Sequence, residues 1–165
     1  MSDRRVIIGV MGAAACDDAT YARARRLGAL LAEAGYTLLC GGGSGVMEAA
    51  ARGAKERGGL TIGIMPGRDA REFPPNPYID LPIFTGIYYA RNLANVLSSE
   101  VVVAVAGGLG TLSEIALALK CGRPVVSLDS WQFDIAGFER PEHFYAVATP
   151  EEALARVRAL LASGH

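Results

Sequence analysis

Short apolar runs alternate with amphipathic helical patterns along this 165-residue sequence, and no other feature restricts its fold as strongly. The first run, RVIIGVM, has the character of a strand that is buried on both faces. Runs of this kind predict strands at residues 5–11, 36–40, 60–65, 101–106, 124–128 and 144–147. The patterns between and after them predict helices at residues 18–34, 47–57, 86–98, 111–121 and 150–163.

Strands that alternate with helices imply right-handed crossovers and a parallel sheet that helices cover on both faces. We therefore predict an α/β fold, a doubly wound Rossmann-like sheet, in a single domain that spans residues 1–165. Within it, residues 66–80 form a Pro-rich connection that is long for a compact domain, and connections of this length are often functional.

Composition and charge restrict the class of protein and its partners. Hydrophobic residues make up 51% of the chain and charged residues 20%, as in a globular protein, and the net charge is −1. No apolar run reaches the roughly 18 residues that span a membrane. The start, MSDRRVIIGVMG, lacks the cleavage pattern of a signal peptide. We expect neither nucleic acid nor a membrane as a partner.

Cysteines and histidines are few and widely spaced. Cys16, Cys40 and Cys121 form no CxxC pair and read as reduced thiols. A zinc site or a Ser-His-Asp triad would rest on His143 alone, because the only other histidine is the terminal His165. We therefore expect a cytoplasmic protein without a bound metal.

Three loops of small residues follow predicted strands, and each loop opens a helix. The candidate ligand-binding residues in these loops are Gly12, Gly42, Gly43, Gly107, Gly108, Gly110 and Thr111. A helix N-terminus presents unpaired N–H groups and a positive dipole end, which suits a phosphate. The full G-x-G-x-x-G and G-x-x-x-x-G-K-[ST] motifs are absent. The loops therefore predict a mononucleotide, or a compound of similar size with one phosphate, at the carboxyl edge of the sheet.

Glu114 admits two interpretations. The segment from Thr111 to Glu114 fits a T-x-x-E capping box, in which the glutamate bonds back to the cap and needs no ligand. Alternatively, the carboxylate is a chemical group that faces a ligand. Elsewhere, Thr149, Pro150 and Glu152 predict the capped start of the last helix, and Ser44 is predicted to cap the helix that follows GGGSG.

The segments GGGSGVMEAAARGAKERGG, ARN and AGGLGTLSE resemble the LOG family, long labelled lysine decarboxylase-like, whose known enzymes are cytokinin-nucleotide phosphoribohydrolases. The resemblance covers roughly residues 6–128. The family hallmark is PGGxGTxxE with an arginine on the preceding helix; Arg91 and Glu114 match it, and Ala106 replaces the proline. Asn92 stands where the enzymes have lysine. This variant and the short chain look more like a subgroup that includes molybdenum cofactor carrier proteins.

The resemblance implies a role for each matching residue. Glu114 would stabilise the positive charge that develops on a ribose when its N-glycosidic bond breaks. Arg91 would bind phosphate or orient Glu114, and the sequence leaves both roles open. Asn92 would add hydrogen bonds. The amides of Gly108, Gly110 and Thr111 would hold the phosphate, and Gly42 and Gly43 would form the opposite wall.

Two functions from different classes follow, and the sequence favours the first over the alternative. The first is a nucleoside 5′-monophosphate phosphoribohydrolase that releases base and ribose 5-phosphate and requires no cofactor, and the intact Arg91 and Glu114 favour it. The second is a carrier with the molybdenum cofactor as cargo, or a nucleotide sensor, and the ARN variant favours it. Lysine decarboxylation is not supported, because no lysine stands out as a Schiff-base candidate. The resemblance also implies a homodimer or homotetramer, and we expect the apolar helix at residues 86–98 at its interface.

Overall fold

Seven parallel strands form one sheet in the computed structural model, which describes residues 4–132 and 142–164. The strands are β1 (Ile7–Gly12), β2 (Thr37–Cys40), β3 (Thr61–Met65), β4 (Leu81–Phe84), β5 (Val101–Val105), β6 (Val125–Leu128) and β7 (Phe144–Val147). The helices are α1 (Asp18–Glu33), α2 (Val46–Glu56), α3 (Arg91–Leu97), α4 (Leu109–Lys120) and α5 (Pro150–Ala162). The predicted α/β fold, with a doubly wound parallel sheet, is confirmed.

The spatial order of the strands is β4-β3-β2-β1-β5-β6-β7. The order reverses beside β1, whose neighbours are β2 and β5, and Gly12 at the end of β1 pairs with Val105 at the end of β5. The loops after these two strands therefore open at the same point of the sheet edge. In doubly wound folds this switch in strand order is where ligands bind.

Buried side chains form two apolar clusters, one on each face of the sheet. One joins Ile8 and Val10 of β1 to side chains of α1, α2 and α5. The other joins Met11 of the same strand to Val96 of α3 and Ile115 of α4. Alternation along β1 sends successive side chains to opposite faces, so a strand without polar residues fits this sandwich.

Two elements differ from the sequence predictions. Strand β4 was not predicted, because Pro82 and the Pro-rich segment before it mask the pattern; at the edge of a sheet a proline is tolerated. The helix predicted at residues 86–98 is shorter, since Gly86 and Tyr88 have positive φ angles of 65° and 50°. A 3-10 turn at Tyr88–Ala90 therefore precedes α3.

The helix starts also differ from one another. Thr149 caps α5 as predicted, with its hydroxyl accepting the Glu152 N–H. Ser44 does not cap α2, so that prediction is wrong: Gly45 is the N-cap, and the Ser44 hydroxyl donates to the carbonyl of Ala14. None of the helices in the described ranges has the length and hydropathy that crossing a membrane requires.

Candidate functional site

A cavity of about 310 Å³ opens at the switch in strand order, above the ends of β1 and β5. Seven of the ten predicted site residues line it: Gly12, Arg91, Asn92, Gly108, Gly110, Thr111 and Glu114. They come from three separate parts of the sequence, which the fold brings to one edge of the sheet.

Three predicted glycines lie elsewhere. Gly43 lines a neighbouring cavity, whereas Gly42 and Gly107 line neither of the two. Gly42 and Gly107 have positive φ angles, and a Cβ would lie only 2.2 Å from Met65 Sδ or 2.3 Å from Thr111 Oγ1. Glycine is therefore required at both positions by the turn and by close packing.

The N-terminus of α4 faces the first cavity without a side-chain cap. Its N-cap is Gly108, and its first turn holds no acidic residue. A Cβ on Gly108 or Gly110 would meet open space, so these two glycines leave room in front of the helix. Within residues 4–132 and 142–164, no side chain caps the first N–H groups of α4, so they could meet an anion. Trp131, which the sequence did not connect with the site, donates its indole N–H to the Gly108 carbonyl at 3.1 Å.

Glu114 is not part of a capping box. Because α4 begins at Leu109, Thr111 lies inside the helix and the glutamate lies a full turn beyond its start. The Glu114 carboxylate instead accepts a hydrogen bond from Asn95 Nδ2 at 2.8 Å. With 6% of its surface exposed, Glu114 lines the cavity, so the capping interpretation is wrong and the ligand-facing interpretation stays a prediction.

A buried ion pair connects α3 with α4. Arg91 Nη1 lies 3.7 Å from Glu114 Oε1, the same oxygen that Asn95 contacts. Burial raises the pKa of the Glu114 carboxyl above its ordinary value, while the hydrogen bond from Asn95 and the charge of Arg91 act in the opposite direction. Burial likewise lowers the pKa of Arg91. Both contacts use Oε1, which leaves Oε2 as the oxygen available to a ligand within the described part of the chain.

Asn92 joins this network from the other side. Its carboxamide oxygen accepts a hydrogen bond from Arg91, and its Nδ2 donates to Ser113 Oγ at 2.9 Å. The Ser113 hydroxyl in turn donates to the Gly110 carbonyl at 2.7 Å. This chain of bonds holds the glycine-rich start of α4 against α3, so Asn92 has a positioning role besides lining the cavity.

A second cavity, of about 340 Å³, adjoins the first, and Gly41, Tyr89 and Arg91 line both. The sequence reasoning did not place Gly41 or Tyr89 in the site. A tyrosine in an apolar helical pattern usually packs in a core or an interface, and the 91% exposure of Tyr89 excludes only the core. The glycine run after β2 was the available signal for Gly41. No group of three or more potential metal-ligating side chains occurs in the described ranges.

Comparisons with known proteins agree with this fold. A molybdenum cofactor binding protein from Rippkaea orientalis has a structure with a TM-score of 0.86 at 40% identity, covering 97% of this chain and 99% of that one. The molybdenum cofactor carrier protein of Chlamydomonas reinhardtii gives a TM-score of 0.84 at 42% identity, covering 96% of this chain and 99% of the other.

A cytokinin riboside 5′-monophosphate phosphoribohydrolase from Mycobacterium tuberculosis is a more distant relative. It is 31% identical over 115 residues, which are 66% of this chain and 62% of that protein. The model of the SLOG cluster4 family matches residues 5–154. The predicted LOG resemblance is thereby confirmed: this chain belongs to the SLOG cluster4 family, a LOG-like family.

Proposed function

We propose that the protein binds a phosphate-bearing small molecule in the first cavity and that its ligand is the molybdenum cofactor, held as cargo. The observation that carries the proposal is the uncapped start of α4, which faces the cavity beside Arg91. Proteins named for binding or carrying this cofactor resemble the chain at 40–42% identity over nearly its whole length, which supports this choice of ligand.

The chemistry of the cavity suits a phosphate. The amides at Gly108, Gly110 and Thr111 would hold its oxygens, as helix N-termini do. Arg91 would add a positive charge, and its buried Nε has no hydrogen-bond partner among the described residues. The three free cysteines support a cytoplasmic location, which we propose as well.

Purification from a bacterium that synthesises the molybdenum cofactor tests this proposal. We expect molybdenum and pterin to copurify in equal amounts with the parent protein, and to fall at least tenfold in Arg91→Ala. Arg123→Ala is the matched control, because this arginine bonds to the Leu97 carbonyl and lines neither cavity. A parent protein free of both molybdenum and pterin would contradict the carrier function.

Phosphoribohydrolase activity is the second candidate, and one specific observation favours it. Arg91 and Glu114 line the same cavity as the amides at the start of α4. A phosphate held there would place the attached ribose beside Glu114, whose carboxylate would stabilise the positive charge of glycosidic bond cleavage. Release of ribose 5-phosphate from a panel of nucleoside 5′-monophosphates tests this candidate, and its absence with every member contradicts it.

We further propose a homodimer or homotetramer with α3 at an interface. Five apolar side chains on and near α3 and β4 are exposed by 40–52%: Leu81, Ile83, Ile87, Leu93 and Leu97. An apolar surface of this kind favours a protein–protein contact. Light scattering should give a multiple of the 17.3 kDa chain mass, and Leu93→Asp should reduce it. A 17.3 kDa particle at micromolar concentration would contradict the assembly.

A further inference from the structure

The end of β6 and the residues after it contact the glycine-rich turn between β5 and α4 through three hydrogen bonds. The Leu128 carbonyl accepts the Ala106 N–H at 3.2 Å. The Ser130 hydroxyl donates to the Ala106 carbonyl, and Trp131 Nε1 donates to the Gly108 carbonyl at 3.1 Å. Two side chains of one segment therefore hold two carbonyls of the turn that leads into α4.

The turn has an uncommon backbone conformation. Ala106 and Gly107 have positive φ angles of 48° and 109°, and Asp129 on the facing segment has one of 50°. A residue with a Cβ seldom adopts such an angle, and surrounding contacts are needed to keep it there. The bonds from Ser130 and Trp131 are contacts of this kind, so the shape of the turn depends on the segment after β6.

The bond from Trp131 also fixes the first N–H group of α4. A peptide group is planar and trans, so its C=O and N–H point in opposite directions. The Gly108 carbonyl shares its peptide group with the N–H of Leu109, the first residue of α4. Holding that carbonyl therefore sets the direction of the Leu109 N–H, and donation to the carbonyl polarises the same peptide group.

Packing alone does not account for the place of Trp131. The residue is 37% exposed, so a large part of its surface gains nothing from burial. The Gly108 carbonyl already accepts the Leu112 N–H at 3.0 Å, so it would keep a hydrogen bond without the indole. Trp131 lines neither cavity, and its effect on a ligand would therefore pass through the peptide group that it holds.

We infer that Trp131 is a positioning residue for the phosphate proposed at α4: its indole N–H holds the peptide group between Gly108 and Leu109 with the Leu109 N–H directed at the anion. Ser130 assists by holding the Ala106 carbonyl. The inference rests on the proposed function, because it needs a phosphate at the start of α4. Gly108 and Gly110 line the first cavity, so the N–H of the residue between them lies beside it. The role is the same for a carried cofactor and for a nucleotide.

Titration with inorganic phosphate, followed by NMR at constant ionic strength, tests this role. Trp131 is the only tryptophan of the chain, so its indole N–H gives a single signal. In the parent, this signal and the amide signals of Leu109 and Gly110 should shift along one saturation curve. Trp131→Phe keeps an aromatic ring and removes the N–H donor. Its phosphate affinity should fall at least threefold, within the range that one hydrogen bond contributes.

Two further variants complete the test. Ser130→Ala removes the second donor to the turn and should also lower phosphate affinity. Ser163→Ala is the matched control, because its hydroxyl donates to the Leu160 carbonyl of α5 at 2.8 Å and the residue lines neither cavity. It removes an uncharged donor to a helix carbonyl, as Trp131→Phe does, and should leave phosphate affinity unchanged.

A folded Trp131→Phe variant whose phosphate affinity falls less than threefold would overturn the positioning role and leave the phosphate site intact. If that variant does not fold, full phosphate affinity in Ser130→Ala would overturn the role in the same way, as would an indole signal of the parent that does not respond to phosphate. Absence of any phosphate-dependent shift at Leu109 and Gly110 of the parent would overturn the phosphate site of the proposed function, and this inference with it.

Discussion

The N-termini of α4 and α5 begin with the same kind of sequence and differ in what they do. Both carry a T-x-x-E pattern, Thr111 to Glu114 and Thr149 to Glu152. At α5 the pattern closes the helix: the Thr149 hydroxyl accepts the Glu152 N–H, and the Glu152 carboxylate accepts the Ala148 N–H at 2.8 Å. At α4 the pattern lies inside the helix. The N-cap is Gly108, which provides no side-chain cap.

The difference separates a structural helix start from one that we propose binds a ligand. A capped N-terminus has satisfied its N–H groups and carries negative charge, so it has little left for an anion. An uncapped N-terminus at a cavity keeps its N–H groups for a ligand. The same glutamate position therefore contributes to stability in α5 and faces a cavity in α4. Substitutions at the two helices should produce opposite effects.

Adding a charged cap to α4 should have the largest effect. Gly108→Asp places a carboxylate where the phosphate is proposed to bind, and space for a Cβ exists. Two like charges about 4 Å apart near a protein surface repel by about 4 kcal/mol, so affinity for AMP or a pterin phosphate should fall at least a hundredfold. Calorimetry measures the affinity, and thermal unfolding should show no loss of stability.

Gly108→Asn is the control for this charge. Asparagine has the size and capping ability of aspartate without its charge. It should weaken binding less than Gly108→Asp does, and equal losses would show that charge repulsion is not the cause.

Neutralising the cavity-facing glutamate should have the next largest effect, on catalysis. If the protein is a phosphoribohydrolase, Glu114→Gln should lower turnover about a hundredfold, the scale of losing one electrostatic contact with a transition state. If it is a carrier, ligand affinity should stay within about threefold, less than 1 kcal/mol. Glu152→Gln in α5 is the matched control and should change neither. Turnover within about threefold of the parent in Glu114→Gln would exclude the charged role in catalysis.

The same variant should change the pH dependence of stability. Because burial raises the pKa of Glu114 in the folded state, the native protein binds this proton more tightly than the unfolded chain does. The free energy of unfolding of the parent therefore falls as pH rises through the pKa of Glu114 in the folded state. Glu114→Gln has no carboxyl at this position, so its stability does not fall for this reason. Relative to the parent, the variant should be more stable at about pH 7 than at about pH 4, near the ordinary glutamate pKa. Urea unfolding at the two pH values checks this, and a constant difference would contradict it.

Removing the two threonine hydroxyls should separate stability from binding. Thr149→Ala removes a cap and should cost about 1 kcal/mol, or about 2–4 °C in Tm, without changing ligand affinity. Thr111→Val removes the hydroxyl of a residue that lines the cavity and should weaken phosphate binding several-fold with a smaller change in Tm. A larger stability loss in Thr111→Val than in Thr149→Ala would contradict the view that the threonine caps the helix in α5 and not in α4.

Ser44→Ala should have the smallest effect. Its hydroxyl donates to the Ala14 carbonyl at 2.7 Å on the surface and does not cap α2. Loss of one exposed hydrogen bond should cost about 0.5 kcal/mol, below the cost of losing a helix cap. A Tm decrease as large as that of Thr149→Ala would indicate that Ser44 does support the start of α2.

Most of the fold could be predicted from the sequence, because strand and helix periodicity depends on residues close together in the chain. The two elements that were predicted wrongly have local causes. Pro82 concealed the edge strand β4, and the positive φ of Tyr88 shortened the helix before Arg91. In the site, glycine runs and the family resemblance were enough to place Arg91 and Glu114 in one cavity. The length of the connection at residues 66–80 was a signal for the loop that carries Phe73. Tyr89 and Trp131 lacked a signal, because their place in the site depends on contacts across the fold.

The sequence by itself determined the parallel sheet, the glycine-rich loops at its edge and the cap of α5, each a matter of neighbouring residues and their backbone preferences. Only the tertiary structure decided which T-x-x-E pattern is a cap. The outcome at Glu114 depends on Asn95 and Arg91, which α3 brings to within 2.8 Å and 3.7 Å of its carboxylate. A short pattern cannot specify partners that lie about twenty residues away, because packing between helices sets those distances.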